Sequence, residues 1–309
     1  MVSTVVVPLD GSALAEQALP WADAIATRCG AVLSLVRVLQ PQTPDVVVRT
    51  AQADLDAIAA RYATQARSLV RVGAPPDELV TVVEQLPDPL IVMTTRGSGG
   101  SPRWPVGSVT ERMVRAAVAP VLVLRAGTDQ VPPPPMRALV VPLDGSVEAE
   151  AALPHATLLA RLFDAELWLV RVVETPKLYE LVAGGSYMST SLGPFADTYA
   201  ALANGAHQAA TAYLAAVEER LTADGIRVRT CVLDGHVDEA LLAYEERDHP
   251  DLIVMATHGR GGGRWLVMGS IAEWVLQVGR VPVLLVRASM PVRRDPVVPT
   301  SATSAQGVQ

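Results

Sequence analysis

One hexapeptide occurs twice in this chain of 309 residues, Val7-Pro-Leu-Asp-Gly-Ser12 and again Val141-Pro-Leu-Asp-Gly-Ser146. Ala18-Leu-Pro20 returns as Ala152-Leu-Pro154, and Leu35-Val-Arg-Val38 as Leu169-Val-Arg-Val172, all at one offset. At a larger offset Leu90-Ile-Val-Met93 matches Leu252-Ile-Val-Met255, Gly107-Ser108 matches Gly269-Ser270, and Pro120–Arg125 matches Pro282–Arg287. A duplication of this kind makes each half one structural unit. The expected division is a first domain over 1–126, a Pro-rich linker over 127–136, a second domain over 137–288, and a disordered tail over 289–309. The change of offset puts about 28 extra residues in the second half, around Glu174–Tyr199, where Gly and Ser read as a long loop.

Within each half, short β-branched runs alternate with amphipathic stretches. Thr4–Val7 and Ala138–Val141 lack the in-out alternation of a half-exposed strand and read as strands covered on both faces. Ser12 and Ser146 are natural caps for the helices that follow. Further strands are predicted at 31–39, 69–72, 90–94 and 121–124, and at 166–173, 226–233, 252–257 and 283–286. Helices are predicted at 51–65, 76–85 and 108–117, and at 200–223, 237–246 and 270–278. The fold class is therefore α/β, with two tandem doubly wound, mostly parallel five-stranded sheets. Ligands of such sheets bind beyond the carboxyl ends of the strands, where the strand order reverses.

Composition narrows the function. The formal charge of −7 and a single lysine, Lys177, argue against nucleic acid as a partner. No apolar stretch is long and uncharged enough for a membrane span, and Met1–Pro8 has no leader pattern, so a cytoplasmic protein is expected. Cys29 and Cys231 lie far apart without metal or redox spacing and read as buried hydrophobes. No Gly-Lys-Ser/Thr loop, no Gly-x-Gly-x-x-Gly after the first strand and no Gly-x-Ser-x-Gly elbow occurs. The five histidines have no ligand partner at metal spacing, so neither a metal site nor a catalytic group is assigned.

Two features converge on the strand ends. Pro8-Leu-Asp10 and Pro142-Leu-Asp144 put a carboxylate at the end of strand one. There it can accept from a ribose or an adenine amine, meet a phosphate-bound metal, or simply close a turn. After strand four, half one reads Thr94-Thr-Arg-Gly97, continuing to Gly107-Ser108. Half two reads Ala256-Thr-His-Gly259-Arg260, continuing to Gly269-Ser270. A glycine loop feeding a helix N-terminus can cradle phosphate. The competing reading makes Ser108 and Ser270 helix caps, since Ser108-Val-Thr-Glu111 and Ser270-Ile-Ala-Glu273 both fit the capping box. Val38 and Val172 end the second strands and are either core or the wall of a base pocket.

The spacing resembles that of universal stress proteins. Those that bind ATP carry the pattern G-2x-G-9x-G-[S/T] after the fourth strand. Here Gly97 and Gly259 are each followed by nine residues and then Gly107-Ser108 or Gly269-Ser270. The resemblance spans both halves. It implies that Asp10 and Asp144 help hold adenosine and that Val38 and Val172 line the adenine. It assigns the phosphates to Gly97, Gly107, Ser108 and Val109 in half one and to Gly259, Arg260, Gly269, Ser270 and Ile271 in half two. The first glycine of the pattern is replaced, by bulky Thr94 in half one and by small Ala256 in half two. Pro102 and Pro105 further stiffen the loop of half one. The implied protein is a stress-response regulator or sensor that binds ATP, with or without Mg2+, better in half two, and does not turn it over. The alternatives are a ligand-independent interaction module and a slow ATPase. The resemblance also implies that last strands pair, here between the two halves as an intramolecular pseudo-dimer, or in a homodimer.

Overall fold

The computed structural model of the chain describes residues 1–62, 65–97, 106–116, 119–127, 136–174, 193–257 and 268–288. Repeat one runs β1 (Thr4–Pro8), α1 (Ala13–Glu16), α2 (Leu19–Cys29), β2 (Val32–Leu39), α3 (Asp45–Ala59), β3 (Ala66–Val72), α4 (Pro75–Glu84), β4 (Pro89–Thr94), α5 (Ser108–Ala116) and β5 (Val121–Leu124). Repeat two follows with β6 (Ala138–Pro142), α6 (Val147–Glu150), α7 (Leu153–Phe163), β7 (Glu166–Val173), α8 (Gly193–Ala223), β8 (Val228–Asp234), α9 (Val237–Asp248), β9 (Leu252–Ala256), α10 (Ser270–Val278) and β10 (Val283–Val286). The linker core 128–135, the tail 289–309 and most of the expected insertion loop, 175–192, lie outside the described residues.

The strands form one ten-stranded sheet in the order β3-β2-β1-β4-β5-β10-β9-β6-β7-β8. Each repeat contributes five strands, parallel among themselves, and the order reverses between β1 and β4 and again between β6 and β9. The two five-stranded sheets expected from the sequence are continuous, because β5 and β10 pair antiparallel. The carboxyl ends of the two sets of strands therefore point to opposite edges of the sheet.

The packing follows from the β-branched runs. Val5 and Val7 enter one buried layer with Leu33, Leu35, Leu139 and Val141, against α2, α3, α7 and α8. Val6 enters the other with Val36, Ile91 and Met93, against α4, α5, α9 and α10. Successive residues thus serve opposite faces, as the strand period of two requires. Val5, Val6 and Val7 are each fully buried, and such burial contributes about 1.5–3 kcal/mol per side chain. Cys29 and Cys231 are only partly buried, against one layer each.

The predicted first helix of each repeat is split. Pro20 and Pro154 sit at the start of α2 and α7 and cannot donate to the carbonyl four residues back, so the helix restarts after a turn. The second helices begin earlier than predicted, at Asp45 and Gly193.

Candidate functional site

At the tip of β1 the chain makes the same turn in both repeats. One oxygen of Asp10 accepts from the Ser12 N–H at 3.0 Å and the Ser12 hydroxyl at 2.6 Å. The Ser12 oxygen in turn caps α1 by accepting from the Ala15 N–H at 3.2 Å. Asp144 and Ser146 repeat this at 2.9 and 2.5 Å, with Ser146 capping α6. Gly11 adopts φ +85°, and a side chain there would also strike the guanidinium of Arg37, 2.6 Å from an added Cβ. The turn reading of Asp10 describes one of its two oxygens. Oδ1 closes the turn, while Oδ2 lies against Gly97, only 2.1 Å from where a Cβ would stand. Gly97 is glycine because the carboxylate occupies that volume.

The loop after β4 returns by a fixed route. Thr95 donates to the Leu124 carbonyl at 2.7 Å, Gly107 to the Thr95 carbonyl at 2.7 Å, and Glu111 to the Gly107 carbonyl at 2.9 Å. In repeat two, Thr257, Gly269 and Glu273 make the matching bonds to Val286, Thr257 and Gly269 at 2.8, 2.7 and 3.0 Å. Two expectations change. The residue in N-cap geometry is Gly269, with φ −61° and ψ 146°, so Ser270 is the first helical residue and not a cap. Repeat one has the same register, which removes the capping-box reading of Ser108 as well. The threonine carbonyl captures the glycine amide and starts the helix one residue before the serine-cap register. For the same reason the amides of Gly107 and Gly269 already donate inside the protein. The donors that precede the helical ladder are the N–H groups of Ser108, Val109 and Thr110, and of Ser270, Ile271 and Ala272.

Between these elements repeat one holds a cleft of about 560 Å³. That is the size range of small-molecule sites. Asp10, Val38, Gly97, Gly107, Ser108 and Val109 all line it. Sequence reasoning missed Pro75, Leu79, Met93, Thr110 and Glu111, which line it together with Leu9, Ala15, Val36 and Val106. Glu111 carried a signal, since it recurs as Glu273, but the capping box had absorbed it. Thr94 also faces the cleft, and its hydroxyl donates to the Arg96 carbonyl at 2.8 Å. Among the described lining residues there is no Arg, Lys or His. The first turn of α5, whose peptide dipoles favour an anion, lies in the same lining as the carboxylates of Asp10 and Glu111. In repeat two, Pro142, Asp144, Val172, Ala256, Gly269, Ser270 and Ile271 hold the corresponding positions at the opposite sheet edge. Gly259 and Arg260 lie outside the described residues.

The sequence pattern of the universal stress protein family matches residues 1–125 and 136–287. The chain belongs to the universal stress protein family. Universal stress protein Rv2623 of Mycobacterium tuberculosis is 29% identical over 310 residues, covering 93% of this chain and 97% of that one. Universal stress protein MJ0531 of Methanocaldococcus jannaschii is 31% identical over 149 residues, 48% of this chain and 81% of that one. The crystal structure of a universal stress protein from Archaeoglobus fulgidus superimposes with a TM-score of 0.69 at 21% identity, covering 92% of this chain and 98% of that one. The tandem arrangement is thus common to this chain and to full-length relatives. Among the described residues, no helix is long and apolar enough to cross a membrane.

Proposed function

We propose that this universal stress protein is a cytoplasmic regulator of stress adaptation that binds an adenine nucleotide, ATP in the first instance, and acts by binding rather than by turnover. The observation that carries the reading is the start of α5 and α10. In both, glycine is the cap and three backbone donors precede the ladder, opposite the aspartate at the tip of strand one. The helix start suits a polyphosphate. The aspartate and the valine of strand two suit the nucleoside end of the same ligand. Mg2+ would arrive with the nucleotide's phosphates, and Asp10 or Asp144 is the carboxylate that could meet it. Among the described residues no three acidic, histidine or cysteine side chains converge on a metal position.

Repeat two is the stronger site in this proposal. Ala256 stands where repeat one has Thr94, whose side chain borders the cleft and spends its hydroxyl on Arg96. Occupancy biases the protein between conformations that a partner distinguishes, so the output is a population shift.

Ser270→Pro tests the reading with little damage to the fold. Proline is welcome at the first helical position, and Gly269 before it already has the extended ψ that proline prefers. The substitution deletes one N–H donor. Titration calorimetry with ATP should show weaker binding in repeat two for Ser270→Pro and near-unchanged binding for Ser270→Ala. Absence of ATP binding by the unmodified chain overturns the proposal.

A further inference from the structure

The last strand of each repeat ends in arginine, Arg125 and Arg287. Arg125 leaves the end of β5 and crosses into the other repeat. Its guanidinium donates to the carbonyl of Val275 at 2.6 Å and to that of Leu276. These carbonyls belong to the last turn of α10, which has no intrahelical donors for all of them. Glu245 of α9 backs the arrangement. It accepts from the N–H groups of Arg280 at 2.5 Å and Val281 at 2.7 Å, and it is itself 5% exposed. Gly279 sits in the middle. A Cβ there would lie 2.8 Å from the Val275 carbonyl, 3.1 Å from Glu245 and 3.4 Å from Arg125.

What Arg125 holds is the tail of the helix whose head carries the candidate phosphate donors of repeat two. What it hangs from is the candidate site of repeat one. Ala126, next in the chain, donates to the Thr95 hydroxyl at 3.1 Å, and the Thr95 carbonyl takes the Gly107 amide that starts α5. The antiparallel join of β5 and β10 makes this possible, since it brings the tail of α10 to the edge where the site of repeat one opens. A second contact joins the same two helices. Arg115 of α5 bridges Glu111, which lines the cleft, at 3.2 Å and Glu273 in the first turn of α10 at 3.6 Å.

We propose that Arg125 is a positioning residue for the nucleotide site of repeat two, supplied by repeat one, so that neither repeat's site is set independently. The guanidinium fork fixes the axial position of α10 and hence where its first-turn amides stand. Through Thr95, the state of the repeat-one loop reaches that fork. This rests on the nucleotide reading above, and the experiment separates the two.

In the full chain carrying Ser108→Pro, which deletes a first-turn donor of repeat one and leaves the Thr95–Gly97 loop unaltered, titration with ATP reads chiefly the binding at repeat two. Adding Arg125→Ala should weaken that binding by about tenfold, within the range of couplings between sites. Arg125→Lys, which keeps the charge but not the fork, should recover part of the loss. Hydrogen exchange at the bonded amides of the α10 head, Gly269 and Glu273, should quicken in Arg125→Ala without any ligand. Unchanged ATP affinity in Arg125→Ala overturns the proposal. If the unmodified chain binds no ATP, the nucleotide reading falls, and exchange at those two amides then decides whether Arg125 positions the helix head. Unchanged exchange ends the proposal.

Discussion

Leu122 and Leu284 are the same residue of the two repeats, and they are paired with each other at the centre of the β5–β10 ladder. Val121 faces Leu285 and Val123 faces Val283 on either side, so the contact is isologous within one chain. Both leucines are essentially buried, at 0% and 2% exposure. Leu122→Ala and Leu284→Ala should each cost about 2–5 kcal/mol. Because the residues touch, the double variant should depart from additivity by at least about 0.5 kcal/mol. Urea denaturation of the four chains gives the cycle, and strict additivity would contradict the pairing.

Gly97 and Gly107 should respond differently to alanine. An added Cβ at Gly97 meets the Asp10 carboxylate at 2.1 Å, whereas at Gly107 the nearest atom is the Thr95 carbonyl at 3.4 Å. Gly97→Ala should displace Asp10, lower stability by about 1–3 kcal/mol and abolish nucleotide binding in repeat one. Gly107→Ala should leave both nearly intact. Thermal melts with and without ATP distinguish the two.

Thr94→Ala makes repeat one resemble repeat two at the position of the missing glycine. It gives up one hydrogen bond to the Arg96 carbonyl, a loss of about 1 kcal/mol in stability. In return the cleft widens beside Asp10. ATP affinity in repeat one should rise several-fold, read by calorimetry on a chain whose second site carries Ser270→Pro.

His155 should make stability depend on pH. Burial, and secondarily the positive amino terminus, lower its pKa to about 4 from the ordinary 6.5. The folded protein therefore keeps the imidazole neutral where the unfolded chain takes a proton. The contribution is complete above pH 6.5 and is lost as pH falls toward about 4. The urea midpoint should drop between pH 7 and pH 5, and His155→Leu should flatten that drop.

Much of this was legible in the residues. The β-branched runs marked the central strands, such as β1 and β6, because these are covered on both faces and need no alternation to be recognised, whereas the edge strands β3 and β8 are only half-buried. The start of α3 was not legible. Val46, Val47 and Val48 are poor helix formers, and Val46 and Val47 remain 60% and 45% exposed, so local propensity argued against the helix that Pro44 and Asp45 begin. At the candidate site, the repeated Asp-Gly-Ser and the glycine spacing pointed to strand ends that line one cleft in repeat one. The serine-cap question could not be decided from spacing, since it turned on a carbonyl at Thr95 or Thr257 that capping motifs do not include. Arg125 was invisible for a different reason. Its partners lie some 150 residues away in sequence, across a strand pairing that no local pattern encodes.

The joined sheet has an evolutionary corollary. Two separate copies associating through such strands would carry every substitution twice and would separate on dilution. Here both halves share one polypeptide, so the association is independent of concentration. Thr94 and Ala256 occupy matched positions of the two halves and differ, which two copies of one identical chain could not do. Covalent fusion thus lets the two halves diverge at matched positions while the strand pairing that joins them stays in place.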